Sequence, residues 1–310
     1  MEISQRSLLE DNQSRKLDQE RVRRSLDDLF SLARKYRKSN EYWELLKFVA
    51  KFDSYSPYNA MLVHIQKPGA SFVAPPHRWL SQYGRHIRPG AQPLVVLQPM
   101  GPVMFVFDVS DTEPGTNAPR LPFTVENPFA VRAGHVSSEL PLTIENAKRD
   151  GVRVGERKSG SQAAGCIRSV HSDQFQEVVK RSKLLKESVW VPIRYELLLS
   201  EGASRETKYA TLVHELAHLY CGHLGTPNRE WWPERQNFTP VGNEFEAESI
   251  SYLVCSRLKI DTPSEKYLAD YVGDGNPEVP EISLECVMKA AGLIEQMGNS
   301  RLKPRKDKRE

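Results

Sequence analysis

The sequence predicts an α+β protein with two domains, the second built on two helices whose side chains suit a metal ion. Three observations carry this. Apolar residues recur at helical spacing in several stretches, notably 209–220 and 243–255. Short β-branched and aromatic runs, such as Leu94–Leu97 and Val103–Phe107, read as strands. Pro114, Pro119, Pro122, Pro128 and Pro141 interrupt the chain between the two kinds of region. A chain of 310 residues is long enough for two domains with their own cores. The expected division is an N-terminal α+β domain over 1–110, a Pro-rich linker over 111–142, a second domain over 143–298 and a basic tail over 299–310.

The elements follow in order. Val22, Leu26, Leu29, Phe30 and Ala33 lie at helical spacing within 17–36, flanked by arginines and lysines that read as a solvated helix face. A second helix runs through Tyr42–Val49. A third follows Ser56-Pro57, where Ser56 suits the cap and Pro57 the first helical position. Leu94–Leu97 and Val103–Phe107 pair through a turn at Gly101-Pro102. Before them, Tyr55, Tyr58, Trp79 and Tyr83 stand near Arg85 and Arg88. Rings that stack bases and cations that track phosphates are what single-stranded DNA binding requires, so these six are candidate contacts. On the residues alone, a core role for Trp79 and the tyrosines is the preferred reading.

In the second domain, residues 144–149 open the fold and Lys158–Ser161 reads as a surface loop. Gly165–Val170 and Val189–Tyr195 read as strands. Pro192 cannot donate to a ladder, so the latter is expected at an edge or with a bulge. An edge strand beside a metal helix would let a peptide add to the sheet. Trp231 and Trp232 would either line a cleft or cap the core. The basic tail from Arg301 to Arg309 is expected to be disordered.

The most informative segment is His214-Glu215-Leu216-Ala217-His218. On a helix, positions i and i+4 share a face, so both imidazoles can meet one ion, with Glu215 beside them as a base. Leu212, Val213, Leu216, Ala217 and Leu219 surround the motif and point to a buried helix. Two histidines and a glutamate are costly there without partners, and a metal would offset that cost. Imidazole suits Zn²⁺, and three protein ligands plus one water is the catalytic zinc pattern. Glu215 would then take the water's proton and pass it to a leaving amine, a metal-assisted peptide hydrolysis.

The third ligand must come from downstream. His223 lies nine residues after His214 and would face away if the helix continued, although Gly222 offers a stop. It reads as a structural or rim residue, and the extended H-E-x-x-H-x-x-G-x-x-H pattern is absent. Residues 243–255 form a second helix, with Asn243 as its cap. Glu244, Glu248 and Ser251 share one face, so Glu244 is the expected ligand and Glu248 the residue that orients a ligating histidine. Glu246 points about 200° away, toward solvent on this reading, and is the alternative ligand.

His214–His218 followed by Glu244-Phe245-Glu246-Ala247-Glu248-Ser249 resembles the ImmA/IrrE-type metallopeptidases, and more closely the metallopeptidase domain of ArdC-like antirestriction proteins. The resemblance covers roughly 189–271. It implies a zincin-like (gluzincin) fold, Zn²⁺ as cofactor and Glu244 as third ligand. A second resemblance, over roughly 42–109, rests on Tyr55–Ala60, Gln66-Lys67-Pro68, Trp79 and Gly84–Gly90. It is similar to the N-terminal single-stranded-DNA-binding domain of the ArdC-like proteins. In place of that domain's usual lysine-rich turn, this chain has Arg88-Pro89-Gly90-Ala91. Two functions follow as expectations: a zinc metalloendopeptidase acting on a protein substrate, with or without single-stranded DNA, or a non-proteolytic DNA-binding antirestriction protein with the zinc fold as scaffold or sensor.

Composition narrows the setting. Net charge is +3, a mild excess that permits nucleic acid as a partner without requiring it. Mean hydropathy is −0.54 and no long apolar run occurs, which argues against a membrane-spanning helix. The polar start of the sequence shows no signal peptide, and a cytoplasmic location is expected. Cys166, Cys221, Cys255 and Cys286 form no C-x-x-C and read as thiols in a reducing compartment.

Overall fold

The structure, a computed structural model, describes residues 34–98, 101–126, 134–158, 165–181 and 186–305. The expected helix over 17–36 lies outside these apart from its last residues, where a 3₁₀ turn spans Arg34–Arg37. The fold is mixed α+β with several small sheets. The chain forms two compact units, Met1–Tyr55 with Asn59–Ala130, and Ser56–Tyr58 with Val131–Glu310.

In the first unit, α1 (Ser39–Lys51) buries Tyr42, Leu45, Leu46 and Val49 along one stripe. Pro57 opens α2 (Pro57–Gln66), as its fixed φ favours. After β1 (Val73–Ala74) come α3 (Pro76–Tyr83) and β2 (Arg85–Ile87), then β3 (Leu94–Gln98), β4 (Gly101–Asp108) and β5 (Thr112–Pro114). Strands β1, β4 and β3 form an antiparallel sheet in that order, and β2 pairs with β5. Gly101 and Pro102 open β4 rather than forming the hairpin turn.

Two carboxamides on α2 close the edge of β3. Asn59 accepts from Leu97 N (2.9 Å) and donates to Leu97 O (3.0 Å). Gln66 does the same for Val95, at 2.8 and 2.9 Å. A strand edge left unpaired is a template for unwanted pairing, and these side chains occupy it. Asn59 and Gln66 belong to the stretches that resemble a DNA-binding domain, and the fold already employs both.

Where it is described, at 111–126 and 134–142, the Pro-rich segment carries secondary structure. Thr112–Pro114 pairs with β2, and a short helix, α4 (Phe123–Glu126), brings Val125 into the core with Phe72, Ala74, Trp79 and Tyr83. The prolines of the described part, Pro114, Pro119 and Pro122, do not prevent this burial.

The second unit starts with α5 (Glu139–Lys148) and β6 (Val152–Arg157), followed by β7 (Gly165–Ser169), β8 (Phe175–Arg181), β9 (Lys186–Pro192) and β10 (Tyr195–Ser200). Strand β10 lies between β6, which is parallel to it, and β7, which is antiparallel. Strands β8 and β9 form a separate antiparallel ribbon. The expected single strand over 189–195 is therefore two strands, split at Ile193-Arg194. The strands that pack on the metal-motif helix are β7 and β10.

Four helices complete the unit: α6 (Arg205–Tyr220), α7 (Pro240–Arg257), α8 (Pro263–Gly273) and α9 (Leu284–Asn299). Helix α6 packs against β7 and β10 and against α7 and α9. Its Leu212, Leu216 and Leu219 are fully buried, where a Leu→Ala change costs about 2–5 kcal/mol. Ser204 caps α6 by accepting from Thr207 N. Helix α7 begins before Asn243: Thr239 is the cap, accepting from Gly242 N, and Pro240 holds the first helical position.

The tail is strapped down as far as Arg305. Leu302 N donates to Asn146 Oδ1 (2.8 Å), and Arg149 donates to Lys303 O (3.2 Å). Arg305 pairs with the fully buried Asp150, which also accepts from Tyr220 Oη at 2.8 Å. The Arg305 guanidinium lies over both Trp231 and Trp232, 5.3 Å from each ring. A basic run read as disordered is thus ordered over its first part by one buried carboxylate. Trp232 is core, donating to Gly225 O at 2.9 Å.

Candidate metal centre

Helix α6 runs unbroken through His214 and His218, so the i and i+4 imidazoles rise from one face. Helix α7 packs beside it and supplies Glu244 from its second turn. His214 Nε2 and His218 Nε2 are 3.3 Å apart. Glu244 places one carboxylate oxygen 3.6 Å from His214 Nε2 and the other 3.6 Å from His218 Nε2. A tetrahedral ion with bonds of about 2.0–2.1 Å holds its donors about 3.3–3.4 Å apart. The two imidazole nitrogens stand at that separation, and Glu244 brings a different oxygen close to each. The three side chains form a group able to hold a metal ion.

Burial and neighbouring charges act differently on the three donors. Burial, and then the adjacent His214, pull His218 down to about 4, so it stays neutral. For His214, burial opposes charge, but the hydrogen bond to Glu244 and the nearby Glu248 and Glu215 carboxylates outweigh it, and its pKa rises. Glu244 is held below the usual carboxylate range, first by its hydrogen bond with His214. Glu248 Oε1 lies 3.7 Å from His214 Nδ1, behind the face that meets Glu244.

Glu215 is largely removed from water, and burial raises its pKa, with His214 and a hydrogen bond from the Ile167 backbone opposing that rise. Ile167 lies in β7, which sits close to α6 because residue 165 is glycine. A Cβ there would fall 2.4 Å from Thr211 Cγ2 and 2.9 Å from Leu198 O.

Glu246 differs from its expected place. It is fully buried rather than solvated, and it is absent from the trio above. Arg235 grips both of its oxygens, at 2.6 and 2.7 Å, and Ser283 N donates to it at 2.5 Å. His223 Nε2 is 2.9 Å from the same carboxylate. Cys221, His223 and Glu246 also lie close enough together to suggest a metal group. With the carboxylate saturated by a guanidinium, a backbone N–H and an imidazole, that second cluster reads as a hydrogen-bonded network.

His223 reaches this place because α6 stops. Gly222 has φ +82°, Gly222 N donates to Leu219 O and His223 N donates to His218 O, the pair of bonds that closes a helix through a left-handed residue. A Cβ on Gly222 would sit 2.0 Å from Pro233 O. The turn brings His223 back to His218, with Nδ1 to Nδ1 at 3.0 Å. The Gly222 signal was visible in the sequence. Nothing there ties Arg235 or Ser283 to Glu246.

The candidate DNA contacts fare differently from one another. Trp79 has no exposed surface, donates to Phe107 O and packs on Phe72 and Tyr83, so neither Trp79 nor the buried Tyr83 offers a ring face to a base. Tyr55 is half-buried and donates to Val73 O (3.3 Å). Tyr58 is half-buried in α2. Arg85 is half-buried and donates to Thr112 Oγ1 and Thr112 O. Only Arg88 among the six is exposed.

No protein-family model matches the chain. An uncharacterized protein of Bacillus anthracis is 23% identical over 283 residues, covering 80% of this chain and 46% of that protein. The chain thus spans about half the length of the curated relative it matches. The metal-free crystal structure of the antirestriction protein ArdC from the R388 plasmid aligns with 79% of this chain and 82% of that chain, at 13% identity and a TM-score of 0.32. No described helix is long and apolar enough to cross a membrane.

Proposed function

We propose that the chain is a zinc-dependent metallopeptidase that hydrolyses peptide bonds in a protein substrate. The observation that carries the reading is the spacing of His214, His218 and Glu244, at 3.3, 3.6 and 3.6 Å. Two imidazoles and one carboxylate are a donor set suited to zinc. When bound, the ion supplies Lewis acidity toward a water molecule and a scissile carbonyl.

The chain's own groups do the rest. Glu215 follows His214 directly and is screened from solvent, so its carboxylate is placed to accept a proton from water and return it to the leaving amine. Glu248 stands 3.7 Å behind His214 Nδ1, on the side from which a carboxylate would orient that ring. Strand β7 ends its sheet among the described residues and contacts α6, which offers an extended peptide a strand to pair with beside Glu215.

The test is cleavage of a peptide library by zinc-loaded protein, wild type beside Glu215→Gln. Cleavage by the wild type and its loss in the variant are expected. No cleavage by loaded wild type, or equal cleavage by both, would overturn the reading.

A further inference from the structure

We infer that His223 is a positioning residue, the link in a His218–His223–Glu246–Arg235 chain that fixes which nitrogen of His218 carries the proton. The inference rests on the metal-site reading for its purpose, but the hydrogen bonding stands by itself. Glu246, gripped by Arg235, is an ionised carboxylate and accepts only. His223 Nε2, 2.9 Å away, must therefore donate to it. Above the histidine titration range, where the imidazole is neutral and has one N–H, His223 Nδ1 is then left bare. His218 Nδ1, 3.0 Å from that bare nitrogen, must then be the donor. The consequence is a bare Nε2 on His218, the atom that faces His214 and Glu244.

With both imidazoles neutral, one proton arrangement satisfies these contacts, and it is the one a metal ligand needs. A ligating histidine usually donates its other N–H to a carboxylate, carbonyl or water. Here a second imidazole stands between ligand and carboxylate. It is held on the backbone side by the Gly222 turn and by Arg235, which donates to Cys221 O and whose N–H donates to Gly222 O. The His223 and Glu246 side chains are 2% and 0% exposed, so water has little room to substitute for either.

The test is ¹⁵N NMR of the imidazole nitrogens in metal-free wild type, above the ordinary histidine titration range, with zinc titrations of His223→Gln and His223→Leu against a competing chelator. The wild type should show His218 as the Nδ1–H tautomer and His223 as the Nε2–H tautomer. His223→Leu should lose that bias and bind zinc roughly 10- to 100-fold more weakly. His223→Gln, whose amide can accept from His218 and donate to Glu246, should restore most of both. An Nε2–H tautomer on His218 in the wild type would overturn the inference, as would undiminished zinc affinity in a folded His223→Leu. Should the leucine variant fail to fold, the wild-type tautomer still decides. Should wild type bind no zinc, the metallopeptidase reading fails while the tautomer result continues to judge this one.

Discussion

Glu246 Oε2 lies 2.9 Å from His223 Nε2, and both side chains are out of solvent. Two residues earlier on the same helix, Glu244 is half exposed and faces His214 and His218. Helix α7 sends one carboxylate to the candidate ion site and the other into a buried ion pair. Residues two apart on a helix diverge by about 200°, so one cannot take the other's place without turning the helix. Glu246→Ala would leave Arg235 without its carboxylate in a mostly buried place. We expect a loss of about 3–5 kcal/mol, read by denaturant unfolding of the metal-free protein. Glu244→Ala, at an exposed position, should change stability far less in the same measurement.

Glu215→Gln keeps the size and hydrogen-bonding shape of the side chain and removes its ability to take a proton. Zinc content should match wild type. Loss of a positioned base typically costs 10²–10⁴ in rate, and peptide cleavage should fall at least that far. Steady-state cleavage on loaded protein, beside metal analysis of the same sample, checks both halves.

Trp79→Ala should act on stability before anything else. The ring is fully buried among Phe72 and Tyr83, and its removal should cost about 3–5 kcal/mol in thermal or denaturant unfolding. Arg88→Ala should leave stability unchanged. If the protein binds single strands through this unit, that variant should lower the salt dependence of binding by about one phosphate contact. Unchanged salt dependence would remove Arg88 from the interface.

The cysteines differ in reach. Burial pushes the Cys255 thiol up to about 12. Because the folded value is raised, this thiol's contribution to stability is complete below the ordinary thiol range and is lost as pH rises toward 12. Near pH 9, an alkylating reagent should modify the half-buried Cys166 and Cys286 first. Cys255 should react only when denaturant opens the fold. Mass spectrometry of partly labelled protein distinguishes the order.

Much of the candidate centre was legible because helical spacing is a strong constraint. His214 and His218 are i and i+4, as are Glu244 and Glu248, so each pair shares a face before any packing is known. What was illegible came from turns and from distant partners. Gly222 was visible as a stop, but not that its left-handed turn would carry His223 back onto His218. Glu246 turns inward because Arg235, from the preceding loop, meets it there. Strand β10 was hidden by its run of three leucines, which masks an alternation in which Leu197 and Leu199 are buried and Leu198 is not. Trp79 among basic residues has one composition for two outcomes, and only the fold shows that the ring faces inward. The tail was read by its charge, whereas buried Asp150 determines where Arg305 goes.

The most direct measurement is the metal content of purified wild type beside His214→Ala and Glu244→Ala, after equilibration with zinc and removal of excess. About one zinc per chain in the wild type, lost from both variants, is the predicted result. Zinc retained by folded Glu244→Ala, or none in the wild type, would contradict a centre made by His214, His218 and Glu244.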